Sequence, residues 1–170
     1  MANRVAQTWH SPSDRDVTAL CPEFAAMMLG SHLRSVGVPL CPRVWTNEEE
    51  AAVWLYEAPF GLLAHNTTSD PRFVYANRTA QRCFGYTWQE FTSLPSRLST
   101  ATDAQHDREK FVDSVNRNGF ADGYRGRRIR KDGSAFWIED VCMWDLVDAA
   151  GKKHGQAAVF RSWTDAGKEH

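Results

Sequence analysis

The sequence predicts an α+β fold: a five-stranded antiparallel sheet with helices on one face, preceded by a helical extension. Three observations predict it. Apolar residues recur at helical spacing before Pro59, and after it the texture changes to short runs rich in aromatic and branched side chains. Helix-start signals then cluster between about 77 and 119. Last come two hairpin signals, Asp132-Gly133 and the looser Ala150-Gly151-Lys152. Strands joined by such turns run antiparallel, and helices gathered between strand pairs form a layer on one side of them.

The elements follow in order. Phe24, Met27, Met28, Leu29, Leu33 and Val36 form a helical pattern that Gly37 and Pro39 end. Its apolar residues spread over more than one side, so it can flank the sheet and also seal a homodimer. Thr46-Asn47-Glu48-Glu49 reads as a capping box, and the acidic run Glu48 to Glu50 suits the positive end of the helix dipole. Phe60 to His65 and Phe73 to Ala76 are short strands separated by the turn-rich Asn66 to Pro71. Asn77 is placed to cap a short helix through Phe84, closed by Gly85. Thr87-Trp88-Gln89-Glu90 is a second capping box. Thr102-Asp103-Ala104-Gln105 is a third, opening a longer helix with Phe111, Val112 and Val115 on one face and Gly119 at its end. Strands over about 120–131, 134–147 and 155–164 complete the sheet.

Composition narrows the function. The chain has 170 residues, 42% hydrophobic and 24% charged, which fits one globular domain with an extension. A net charge of −1 argues against a globally basic nucleic-acid binder. The run Arg125, Arg127, Arg128, Arg130, Lys131 is split between two sheet faces by strand alternation and reads as a solvated strand and hairpin tip. Met1 to His10 holds no signal-peptide core, and no apolar run approaches a membrane span, so the cytoplasm is the default location. None of Cys21, Cys41, Cys83 and Cys142 lies in a C-x-x-C pair, which argues against zinc. Cys21-Pro22 and Cys41-Pro42 repeat a dipeptide that can bind haem, and His65 could supply an imidazole to iron, so a haem- or metal-linked sensor is an alternative. His10, His32, His106 and His154 lack metal spacing and read as surface or cap polarity. Trp54, Trp88, Trp137, Trp144 and Trp163 read as core and interface packing, with Trp137 and Trp163 on the outer sheet face. No G-x-S-x-G, H-E-x-x-H or G-x-x-x-x-G-K-[ST] occurs, and neither Cys142 nor Cys83 has an evident base, so a small enzyme of unknown reaction is only a third reading.

Separated motifs in this order resemble a PAS domain. Phe73-Val74-Tyr75-Ala76-Asn77, then Cys83-Phe84-Gly85-Tyr86-Thr87 with Glu90, match a strand, an asparagine cap and "F-G-Y-T-x-x-E". Arg130-Lys131-Asp132-Gly133-Ser134 with Phe136-Trp137 matches the "R-K-D-G-S-x-F-W" hairpin. Finer detail is similar to one PAS-like branch, the MEKHLA domain: Ala58-Pro59-Phe60, His65, Asp70-Pro71, Leu94-Pro95-Ser96-Arg97, Tyr124 to Ile129, Trp144 and Gly155-Gln156-Ala157-Ala158. The resemblance covers about residues 52–164. It divides the chain into a helical extension (1–51), a PAS-like domain (52–165) and a tail (166–170). It implies a sensory or interaction module with no assigned reaction. MEKHLA domains also end plant class III homeodomain leucine-zipper proteins, but neither a homeodomain nor zipper heptads occur here, so that role does not carry over.

The resemblance also implies a pocket on the inner sheet face. In flavin-binding relatives the motif "N-C-R-F-L-Q" carries a cysteine that adds to the flavin. The aligned stretch here is Leu94-Pro95-Ser96-Arg97-Leu98, and the hydroxyl of Ser96 cannot form that thioether. The polar flavin contacts of the later strands fall on Arg128, Ile138 and Phe160, one charge and two apolar groups. Flavin is therefore argued against, and the cofactor is open. Period-two alternation adds Asp140, Cys142 and Trp144 to the inner face. Arg128 then either pairs with Asp140 across the strands or, with Arg97, receives a carboxylate or another planar anion. The candidate ligand-binding set is Arg97, Arg128, Ile138, Asp140, Phe160, Ser96, Trp144 and His65. The expected function is a sensory or regulatory module that binds a small organic ligand or a protein partner, including a second copy, through its sheet or its N-terminal helix. It would signal by a shift of population between states.

Overall fold

Pro22 opens helix α1 (Pro22–Val36) at a position where its missing N–H is not needed, and Gly37 closes it by donating to the Leu33 carbonyl. The structure, a computed structural model, describes residues 19–166; the segment Met1–His10 lies outside them. The buried face of α1 is Phe24, Ala25, Met27, Met28, Ser31 and His32, while Leu33 is exposed. Burial thus runs one step around from the apolar pattern, because Trp144 bonds to the polar pair. Its Nε1 donates to Ser31 Oγ at 3.0 Å, and the His32 ring lies edge-on to it at 4.8 Å. His32, read as surface polarity, is a buried histidine whose Nδ1 bonds the Val38 carbonyl.

Helix α2 (Glu48–Glu57) is capped by Asn47 rather than Thr46: Asn47 Oδ1 accepts from the Glu50 N–H at 2.8 Å, and Glu50 reaches back to the Thr46 N–H. The cap sits one residue later than expected, because asparagine is the better cap, and the reciprocal box does not form. After β1 (Gly61–His65) and β2 (Phe73–Ala76) come α3 (Arg78–Phe84) and α4 (Trp88–Phe91), with the Asn77 cap and the Thr87–Glu90 capping box as expected. The third box does not form. Thr102–Ala104 is a 3-10 turn, and Gln105 instead donates to the carbonyls of Arg97 and Thr100 before α5 (Gln105–Asn118).

The closing strands are β3 (Phe120–Ile129), β4 (Ala135–Val147), β5 (Lys153–Phe160) and β6 (Ser162–Asp165). The sheet order is β2-β1-β5-β4-β3, with every pair antiparallel. The strand expected over 155–164 breaks at Arg161, and β6 resumes its pairing with β4, so six strands occupy five positions. Helices α3 to α5 cover the inner face around Phe84, Phe91, Val115, Phe136 and Phe160. Helices α1 and α2 cover the outer face, around Met28, Leu55, Trp144, Leu146 and Val159.

One residue sets which side chains face inward. Tyr124 pairs with Val141 and Gly126 with Ile138, so β4 carries one more residue than β3 between the same two rungs. The extra residue is a bulge at Asp140, whose φ is +53°. Beyond it the alternation inverts. Val141 and Met143 join the inner core, and Cys142 and Trp144 turn outward. Trp163 pairs with Ile138 and so lies on the inner side, not the outer one expected for it. Trp137 does lie outside, with the Arg125 guanidinium 3.9 Å from its ring centre.

Candidate functional site

Strand β3 places alternate side chains inward, so Tyr124, Gly126 and Arg128 share one face with Phe136 and Ile138 of β4. Gly126 gives Arg128 room: a Cβ there would stand 2.6 Å from the Tyr124 ring and 2.9 Å from Arg128 Nη1. Arg128 therefore lies back along its own strand, only 6% exposed, with its guanidinium 5.6 Å from the Tyr124 ring centre. Its Nη1 donates to the Arg127 carbonyl at 3.4 Å. Among the described residues no carboxylate forms an ion pair with it. Burial pushes its pKa below the ordinary value, with Tyr124 acting in the opposite sense.

Across the hollow from Arg128 stands the α5 side chain Arg108. Its Nη2 donates to Ser96 Oγ at 2.9 Å. Burial lowers its pKa, and the like charge of Arg128 lowers it further, while Tyr124 and Glu109 act to raise it. The hollow thus brings two guanidinium groups together. Arginine stays charged in proteins, and a buried charge without a counter-ion is unfavourable.

His65, at the end of β1, lines the same hollow. A bulge in β1–β2 pairing sets it opposite Phe73, and β5 sets it opposite Gln156. Its Nδ1 donates to the Asn66 carbonyl at 3.0 Å, which leaves the lone pair on Nε2. Nε2 is buried and has no partner. Burial pushes the imidazole pKa down to about 4, opposed by the Asn66 bond and helped by Arg108 and Lys153, so the ring is neutral near pH 7. The cavity between these groups measures about 30 Å³.

The candidate residues therefore separate. Arg128, Ile138, Ser96 and His65 line one cavity. Phe160 is buried on the same face but packs its ring on Gly61 and Phe84, away from that lining. Arg97 lies at the surface, its Nε 3.0 Å from Asp70 Oδ1. Asp140 is exposed at the bulge and does not pair with Arg128. Trp144 is buried against α1 on the opposite face. Sequence reasoning missed Arg108, although it stands three residues before Phe111 and seven before Val115, in phase with the buried face of α5. Gln156 was missed as a polar lining residue; its Nε2 donates to Asn116 Oδ1 and Asp145 Oδ1.

The site holds hydrogen-bond donors and positive charge but no activated nucleophile. Burial raises the Cys83 and Cys142 thiols to about 11. Among the described residues no three His, Cys, Asp or Glu side chains gather to hold a metal ion. Cys21 belongs to the outer core, so the sheet separates it from His65.

A search of solved structures finds the same sheet and helix arrangement in PAS and light-oxygen-voltage domains. A PAS domain from Colwellia psychrerythraea superposes with a TM-score of 0.58 at 16% identity, covering 71% of this chain and 98% of that one. An RNA-binding light-oxygen-voltage receptor gives 0.59 at 22% identity, covering 75% of this chain and 36% of that one. The blue-light activated histidine kinase EL346 of Erythrobacter litoralis gives 0.54 at 20% identity, covering 69% and 36%. At such identities the likeness is one of fold. No helix among the described residues is long and apolar enough to cross a membrane. None of the curated proteins compared matches this chain. The family model of the MEKHLA domain matches residues 22–165, from the first turn of α1 to the last residue of β6, and by that match the chain belongs to the MEKHLA domain family.

Proposed function

We propose that this PAS-like domain is a sensory or regulatory module whose inner-face cavity binds a small organic anion through Arg128 and Arg108. One observation carries the reading: Arg128 is 6% exposed and no carboxylate of the described chain neutralises it. Buried charges are as a rule paired, so the site calls for an anionic partner, and the guanidinium fork suits a carboxylate. Residues 52–165 form the sensing body, and the segment before them covers its outer face. Occupancy would bias the packing of α5 and the sheet, and the altered surface would be read by a protein partner or a second copy.

The residues present do not fit a flavin. Ser96 supplies a hydroxyl where the adduct-forming thiol would be, and Ile138 offers no hydrogen bond to a ring edge. A cavity of about 30 Å³ has room for roughly two waters, far less than a three-ring cofactor or a haem needs.

Calorimetric titration of the protein with acetate, propionate and lactate tests the proposal. At least one should bind. Arg128→Ala should weaken it ~10- to 100-fold, the loss of about 1.5–3 kcal/mol of charge-assisted bonding. Circular dichroism should show the fold retained, since removing a buried unpaired charge does not cost stability. Undiminished affinity in a folded Arg128→Ala protein would refute the assignment.

A further inference from the structure

We infer that the ligand is a small hydroxy-carboxylic acid, its carboxylate held by Arg108 and Arg128 and its hydroxyl donating to His65 Nε2. This rests on the anion-binding reading above and goes beyond it by naming the second functional group. The observation is the orphaned ring nitrogen. His65 is 8% exposed, its Nδ1 is committed to the Asn66 carbonyl, and its Nε2 has no partner. A buried polar atom left unpaired is costly, and this one is an acceptor in the tautomer that the Asn66 carbonyl selects.

The remainder of the lining sharpens the specification. The arginines donate only, and Tyr124 Oη, which is also buried without a partner beside Arg128, can donate to the same anion. Ser96 Oγ already accepts from Arg108, Ser99 Oγ donates to the Ser96 carbonyl, and Gln156 Nε2 is used by Asn116 and Asp145. The site thus pairs a demand for anionic oxygen with a demand for one donor. A plain carboxylate meets the first and not the second. A carboxylic acid with a hydroxyl on the adjacent carbon meets both.

Volume sets the size. The cavity of about 30 Å³ takes roughly two waters, which confines the ligand to the smallest acids, glycolate before lactate. The charges facing His65 agree. Arg108 and Lys153 oppose its protonation, and the strongly lowered pKa leaves Nε2 an acceptor at neutral pH.

Calorimetry with matched pairs is the test: glycolate against acetate, and lactate against propionate. The hydroxy acid of each pair should bind at least ~10-fold more tightly, the worth of one hydrogen bond to a buried group. His65→Phe should abolish that preference, bringing the affinity ratio within each pair to about one. Equal affinities within each pair would overturn the inference and leave the anion site standing. A protein that binds none of the four acids would remove both. Should His65→Phe fail to fold, the wild-type protein still decides. The ¹⁵N resonance of His65 Nε2 should move on adding glycolate and stay in place with acetate, and a resonance unmoved by glycolate refutes the assignment.

Discussion

Asn77 commits both ends of its amide to the interior. Its Oδ1 accepts from the N–H groups of Leu62 and Ala80, and its Nδ2 donates to the carbonyls of Leu55 and Phe60. One fully buried side chain thus caps α3 and ties it to β1 and the end of α2. Asn77→Ala should lower the unfolding free energy by about 3 kcal/mol or more, one lost cap plus buried groups left unpaired. Urea denaturation measures it, and a loss below about 1 kcal/mol would mean that water replaces the amide. The capping role was legible, because an asparagine before a helical run is a local signal. The ties to Leu55 and Phe60 were not, since their position depends on tertiary packing. His65 divides in the same way: its place at a strand end could be read, whereas its unpartnered Nε2 depends on a bond to a carbonyl.

Elements show where periodicity suffices and where it fails. The likeness to flavin-binding domains places Arg128 and Ile138 inward and alternation adds Phe136, and all three do face inward because no irregularity separates them. Alternation misassigns Asp140, Cys142 and Trp144 because a bulge shifts the count by one, and no residue there announces a left-handed backbone as glycine would. Asp140→Gly should therefore raise stability by up to about 1 kcal/mol, by removing the cost of a positive φ on a residue with a Cβ. Asp140→Val should lower it by about 1–2 kcal/mol. Thermal unfolding of the pair checks both signs, and a valine variant as stable as the glycine one would show that the bulge is not held in solution. Helix α5 illustrates a different gap. Its apolar face was read from Phe111, Val112 and Val115, but Arg108, in phase with them, carries no apolar signal and went unread. The helix caps fared by their competition. Thr87 has no stronger neighbour and forms its box, whereas Thr46 yields to Asn47.

At the scale of the molecule, buried histidines make stability depend on pH. His65 is held down to about 4 and His32 below its ordinary value, in both cases chiefly by burial. Both are neutral when folded and take up protons more readily when unfolded. Stability therefore rises with pH through this window and falls as pH drops from about 6.5 toward 4. His65 alone accounts for about 3 kcal/mol. Asp148, lowered to about 2 by its bond to His154, stabilises the fold above its unfolded value of 3.8 and loses that effect only as pH falls through 2, below the histidine window. Urea midpoints at the two ends of the window should differ, and His65→Phe should flatten the difference. An unchanged slope in that variant would assign the acid sensitivity elsewhere.

The inner face is covered by α3 to α5, and the β1, β5 and later β4 part of the outer face by α1 and α2, with Trp144 nailing α1 down through Ser31 and His32. Any visitor to that face meets an incumbent tethered beside it, at an effective concentration on the order of millimolar. A second molecule stacking on that part of the sheet must evict α1 or trade helices reciprocally, so the docking of one fifteen-residue segment governs access to it.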